Sequence, residues 1–314
     1  MKYKVSKHLL GLVLLLLPLG GGCDYDHGLD PVRTRIAGNI TFVGATPPYY
    51  VREAAVVIVK KIPPDNLLND LIISDPLPFD PKKLPDQEDV VHYELVANPG
   101  VYAAAGVLWR KRGEAWDISN VLGLHLDLAK VNFKEIVIRA DQPEPDTAVV
   151  DIIADWTLAQ RDARVTGKIN FKIDEWRSDT DFFVLGLYST IPQSPLEYVT
   201  GFFTGEAAFK LIFQTAPVES YQYNIEVNSE VGSGDDKGKY KFIALFWKGK
   251  AASLGDIKVI GFYNCPNDSL NDPQPKRPQT VQVTAGQLRE GIDFDADFSA
   301  LPKGISPRRV SCPQ

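Results

Sequence analysis

Three carboxylates alternate near the end of this 314-residue chain, where Asp293, Asp295 and Asp297 are interleaved with Phe294, Ala296 and Phe298. On an extended strand this pattern sets the acids on one face, successive ones roughly 6.6 Å apart, and the apolar residues on the other. A cation site is one reading, but neighbours that far apart cannot share an ion without outside ligands. A solvated strand face whose charges discourage edge-to-edge association fits the spacing better. The rest of the catalytic inventory is thin. Beyond His8, the histidines His27, His92 and His125 are scattered with no paired spacing, and no GxSxG, P-loop or HExxH pattern occurs. We therefore expect no catalytic residue, no metal site and no cofactor, although carboxylates that converge only in the fold are invisible at this level.

The cysteines carry more information. MKYKVSKHLLGLVLLLLPLGGGC opens with lysines, continues with a short apolar stretch and ends in Gly20-Gly21-Gly22-Cys23. This layout is that of an export signal, and its apolar part is too short for a comfortable membrane span. The glycines followed by Cys23 resemble the lipobox of bacterial lipoproteins, with Gly20 where that motif usually has leucine. The resemblance implies removal of residues 1–22, a diacylglycerol on Cys23 and a polar tether over 23–33. Acyl chains bring ~0.8 kcal/mol per buried methylene, enough in combination to hold the protein on an envelope membrane. The alternative is a secreted protein cut at the glycines with Cys23 a spare thiol. In an oxidising compartment Cys265 and Cys312 are expected to form a disulfide, the alternative being two free thiols. Neither belongs to a CxxC, which argues against a redox enzyme or a thiolate zinc site.

Composition narrows the partners. With 44% hydrophobic and 24% charged residues the chain is globular, and its formal charge is −6. Loss of residues 1–22 removes Lys2, Lys4 and Lys7, leaving 31 basic against 40 acidic residues, or −9. That balance excludes nucleic acid as an expected partner, since phosphate binding needs a basic face. The expected partners are a membrane, through the N-terminal lipid, and an envelope protein or glycan.

The elements that would position these residues are written twice. RIAGNITF at 35–42 returns as RVTGKINF at 164–171. Gly38 and Gly167 are each followed 25 positions later by a proline, Pro63 and Pro192, with the apolar runs AAVVIVKKIP and FFVLGLYSTIP between. Tyr102 and Trp109 stand seven apart, as do Tyr240 and Trp247, and Gly123 and Gly261 follow fourteen residues after each tryptophan. DIIADW (151–156) and DFDADF (293–298) close the two units. The spacing predicts two units, 34–158 and 164–300, joined around Gln160-Arg161-Asp162, with a tail at 301–314. Each unit holds short runs rich in Val, Ile, Phe and Tyr between Gly, Pro and Asp, which predicts an all-β chain of two tandem antiparallel β-sandwiches. The segment Glu206–Gln214 reads as a strand, and helical periodicity is nearly absent. So short a connection suggests units that touch or hinge narrowly.

The GxIxF opening, the Asn98-Pro99-Gly100-Val101-Tyr102 turn and the acidic-apolar close resemble the transthyretin-like or carboxypeptidase-regulatory-like β-sandwich. Asp236-Lys237-Gly238-Lys239-Tyr240 keeps the Gly and Tyr of that turn but not the Pro. Relatives with an acidic, calcium-loop-like segment after this strand imply a metal role. Here Trp109-Arg110-Lys111-Arg112-Gly113 and Trp247-Lys248-Gly249-Lys250 are basic, so that role lapses. Repeated Trp109 and Trp247 are expected in the cores. Unrepeated Tyr49, Tyr50, Trp116 and Trp176 adjoin turn-like residues, where exposed rings would form a ligand platform for sugars. The segments 63–89 and 192–220, where the units part most, would carry whatever specificity exists, the alternative being neutral drift of the loops. The expected function is a non-catalytic, lipid-anchored envelope protein that serves as an adhesion, scaffold or accessory module, facing the periplasm or the cell surface. The alternatives are a carbohydrate-binding lipoprotein and a cryptic hydrolase.

Overall fold

RIAGNITFV alternates, and so does the strand it forms: in β1 (Arg35–Val43) Ile36, Ile40 and Phe42 are buried while Arg35 and Asn39 are exposed. AAVVIV does not alternate, and in β2 (Val51–Val59) every residue from Ala54 to Val59 is buried. A strand covered on one face reads as alternation; one covered on both reads as a continuous apolar run. That difference sorts the strands into outer and inner sheets.

The structure is a computed structural model that describes residues 34–64, 70–139, 147–202, 204–250, 252–266, 276–301 and 303–312. Cys23, His27 and the tether lie outside them. The first half continues with β3 (Leu71–Ile73), β4 (Asp89–Val96), β5 (Ala104–Lys111), β6 (Val121–Leu124), β7 (Thr147–Val149) and β8 (Ile152–Asp155). Its outer sheet is built around β1, with β4 antiparallel on one side and β7 then β8 parallel on the other. Its inner sheet is antiparallel in the order β3–β2–β5–β6. The second half supplies β9 (Ala163–Phe171), β10 (Thr180–Tyr188), β11 (Ala207–Ile212), β12 (Ser220–Val227), β13 (Phe242–Gly249), β14 (Lys258–Phe262), β15 (Leu288–Arg289) and β16 (Phe294–Ala296). Here β12 and the β15/β16 pair flank β9, and the inner order is β11–β10–β13–β14. The strand orders of the two halves correspond one to one. The fold is all-β, and β11 occupies most of the segment read as a strand at Glu206–Gln214.

Repeated spacing in the sequence reappears as repeated contacts. Trp109 and Trp247 are buried inside their respective sandwiches, against β1 and β9 residues. The Tyr102 hydroxyl donates to Asn98 O (2.7 Å), and that of Tyr240 to Asn228 O (2.9 Å). Gly123 and Gly261 let the last inner strand approach the closing outer strand: a methyl there would lie 2.0 Å from Ile153 O and 2.3 Å from Asp295 O. The Cys265–Cys312 disulfide is formed, with Cα atoms 6.4 Å apart, and it holds the tail beside Thr280, whose N–H donates to Cys312 O (3.0 Å).

The sequence did not lead us to expect a third core. Both halves belong to one compact unit, Thr34–Gln314. Along β10 and β13, Phe183, Leu185, Ile243, Leu245 and Trp247 face the second half's own sandwich. Their neighbours Phe182, Val184, Phe242, Ala244 and Phe246 face the other way and pack in one cluster with Val57, Val59, Ala104, Leu108 and Val121 of the first half. The two inner sheets therefore lie between apolar layers on both sides. The connection is not a hinge. Gln160 Nε2 donates to Thr46 O (2.9 Å), while Asp162 donates its N–H to Val227 O (3.0 Å) and accepts from Ser229 N (2.7 Å). Buried apolar area across the joint and bonds to both sides fix the halves together.

Candidate binding cleft

Where the inner sheets meet, they leave a cleft of about 840 Å3. Its apolar wall comes from Val57, Leu108 and Ile118 of the first half and Phe209 and Phe213 of the second. Its polar rim comes from Glu114, Asp117, Arg161, Arg164, Lys210 and Glu226. Strand β2 holds Val57, β5 Leu108, β11 Phe209 and Lys210, and β12 Glu226, while the loop after β5 brings Trp116, Asp117 and Ile118 to the cleft. The walls are tied where Leu211 N donates to Ser119 Oγ (3.1 Å) and where Lys111 pairs with Glu226. Lys210 faces Asp117 across the opening at 3.7 Å, and Arg164 reaches Glu226 at 3.4 Å.

Of the four aromatic residues expected on an exposed platform, only Trp116 lines this cleft. It is half-buried, with the Arg110 guanidinium 5.0 Å from its ring centre. Tyr49 is exposed, with its ring centre 5.5 Å from that of Tyr50 in an edge-on arrangement. Tyr50 corrects the expectation of an exposed ring. It packs 6.0 Å from Trp109, its hydroxyl donates to Ala159 O (2.7 Å), and Arg161 N donates back to it (2.9 Å). Burial raises its phenol pKa, partly offset by that Arg161 N–H. Tyr50 is thus a clasp on the connection.

Trp176 is the second correction. Its ring packs on Phe171 and Phe298, each 5.2 Å away, and its Nε1 donates to Thr215 O (3.1 Å). In the first half Phe79 fills the matching place, 5.9 Å from Phe42 and 4.8 Å from Trp156. The same hole at the end of each sandwich is filled from a different point in the chain. That is why Trp176 shows no repeat.

The row of acids finds partners on the neighbouring strand. Asp293 Oδ1 accepts from Lys168 N (2.7 Å), Asp295 Oδ1 from Asn170 Nδ2 (3.0 Å), and Asp297 Oδ2 from Lys172 Nζ (2.5 Å). Among the described residues no three His, Cys, Asp or Glu side chains are grouped to hold a metal ion. Burial works to raise the Asp297 pKa, but bonds from Lys172 and Ser299 outweigh it and hold the carboxyl at about 2. Its ordinary value is 3.8, so its contribution to stability is complete above about pH 4 and is lost as pH falls through 2. An NMR titration should show that depressed midpoint, and Lys172→Met should move it back toward 3.8; an unmoved midpoint would show that Lys172 is not the cause. His92 is exposed on β4, and His125 is driven below its ordinary range by burial and by Lys134.

The fold and cleft thus define an all-β protein of two paired sandwiches with a shared inner core. No family model and no curated protein matches the chain. Among solved structures, a leucine-rich repeat protein from Bacteroides thetaiotaomicron aligns with 84% of this chain and 26% of its own length, at 8% identity and a TM-score of 0.31. A candidate cell adhesion protein from Bacteroides fragilis aligns over 82% and 91%, at 13% identity and a TM-score of 0.20. For the fimbrial anchor protein Mfa2 from Porphyromonas gingivalis the figures are 72%, 80%, 11% and 0.17. The chain spans about a quarter of the first of these proteins. Likenesses this slight carry no weight in assigning a role.

Proposed function

We propose that this chain is a non-catalytic envelope protein that serves as an adhesion, scaffold or accessory binding module. In this reading residues 23–33 are a tether whose Cys23 bears the lipid, and 34–158 and 164–300 are two copies of one sandwich, with 301–314 as a pinned tail. The observation that carries it is the cleft. It is assembled from both halves on a body without a hinge, and its Asp117 and Glu226 are engaged in ion pairs rather than poised for proton transfer. Such a surface binds and presents. Cys23→Ser should release the protein from the membrane fraction and abolish labelling by a lipid precursor, and unchanged membrane association would end the lipid-anchor reading. In-cell crosslinking through the cleft rim, followed by identification of partners, tests the binding reading. Glycan binding is the second reading, favoured by Trp116 at the cleft mouth. Glycan binding that Trp116→Ala does not weaken would remove that ring from it.

A further inference from the structure

Among the described residues no carboxylate forms an ion pair with Arg161, although Glu226 and Asp117 lie near enough to act on its charge. Arg161 lies in the connection between the halves, half-buried, with its guanidinium 5.5 Å from the Trp109 ring centre. It donates to Leu158 O (3.3 Å), Asn120 Oδ1 (3.1 Å) and Ser119 O (3.4 Å). All three acceptors are neutral. The carboxylates nearby are engaged by other cations, Glu226 by Lys111 and Arg164, and Asp117 by Lys210. Withdrawing a cation from water without an anion is costly. Consistent with that, burial lowers the Arg161 pKa, with Glu226 opposing it. Each terminal guanidinium nitrogen carries two N–H groups and uses one on the acceptors above, so both keep donor capacity, and Arg161 lines the cleft.

The wall beside it is apolar and goes deeper than the cleft. Val57, Leu108, Ile118, Phe209 and Phe213 line both the cleft and a second void of about 100 Å3 sunk into the shared core. The rim around Arg161 is balanced: Arg161, Arg164 and Lys210 stand against Glu114, Asp117 and Glu226. A polyanion finds no surplus of positive charge there, whereas one carboxylate meets one guanidinium that has no ion-pair partner among the described residues. A volume of about 840 Å3 is in the range of small-molecule sites.

We propose that this cleft binds a small amphipathic carboxylic acid, its carboxylate held by Arg161 and its acyl or aryl body lying along Val57, Leu108, Phe209 and Phe213. This goes beyond the envelope reading, which crosslinked partners would support even if the ligand proposal failed.

The test is calorimetric titration of the full chain with decanoate, decan-1-ol and decylamine, alongside an apolar peptide with a free C-terminal carboxylate. Decanoate should bind saturably, one per chain, at least about tenfold more tightly than the alcohol or the amine, because a hydrogen bond to a charged group is worth that much. Arg161→Gln should erase this preference. Since Arg161 also braces the connection, Phe213→Asp serves as an independent variant at the exposed end of the apolar wall, and it should weaken decanoate by a similar factor while leaving circular dichroism unchanged. The proposal is overturned if the alcohol or amine binds as well as decanoate, if only the peptide binds, or if folded Arg161→Gln and Phe213→Asp both keep decanoate affinity.

Discussion

Alanine at Gly38 should cost about 3–5 kcal/mol, and alanine at Gly167 the same, which places both among the most damaging single substitutions available to this chain. The reason is a carbonyl that cannot move. A methyl on Gly38 would lie 2.1 Å from Val150 O, and one on Gly167 would lie 2.1 Å from Ile292 O. Those oxygens belong to the point where each closing strand breaks, between β7 and β8 in one half and between β15 and β16 in the other. The Tyr93 hydroxyl donates to Val150 O (2.8 Å), and the Tyr223 hydroxyl to Ile292 O (2.6 Å). The next residue then fixes the turn from the other side, where Asp151 Oδ1 accepts from Asn39 N (2.8 Å) and Asp293 Oδ1 from Lys168 N (2.7 Å). Any relief of the clash breaks buried bonds. Urea unfolding should show the loss, with Tyr93→Phe as the scale: it only unpairs the carbonyl and should cost about 1–3 kcal/mol. A Gly38→Ala variant more stable than Tyr93→Phe would refute the account.

Those glycines were legible as landmarks but not as causes. RIAGNITF and RVTGKINF mark the register, while the oxygen that demands the glycine lies more than a hundred residues on, and no local pattern points to it. The strands were readable because apolar alternation and apolar runs are local. Which face of a continuous run meets which partner is a tertiary fact, so FFVLGLY announced a buried strand and stayed silent about the first half packed behind it. Trp176 misled for a related reason. Repetition identifies a core residue only when both copies fill the hole from the same place, and here Phe79 and Trp176 do not. The helix α1 (Pro195–Thr200) had a signal in Ser194-Pro195-Leu196-Glu197, where the Ser194 side chain accepts from Glu197 N. At six residues it is too short to show periodicity. The cleft had no signal at all, since Trp116, Arg161, Lys210 and Glu226 come together only because the inner sheets do.

That shared core makes the halves unfold together, and two adjacent residues separate this coupling from ordinary core damage. Val184 and Leu185 are neighbours on β10, both buried, and they face opposite ways: Leu185 into the second sandwich, Val184 into the layer between the inner sheets. The intact chain should melt in one calorimetric transition, because neither half can expose its inner sheet without uncovering that of the other. Val184→Asp sets a charge in the shared layer and should lower stability by about 3–5 kcal/mol, since Lys248, the buried cation on the same sheet face, is already paired with Asp181. Its further effect is the diagnostic one. With the sandwich of each half still packed, the single transition should split into two. Leu185→Asp should instead damage the second sandwich while leaving the shared layer packed, so the chain should still melt in one transition, at a lower temperature. If Val184→Asp melts like the unaltered chain, the inner sheets are not packed on one another, and the cleft between them loses its walls.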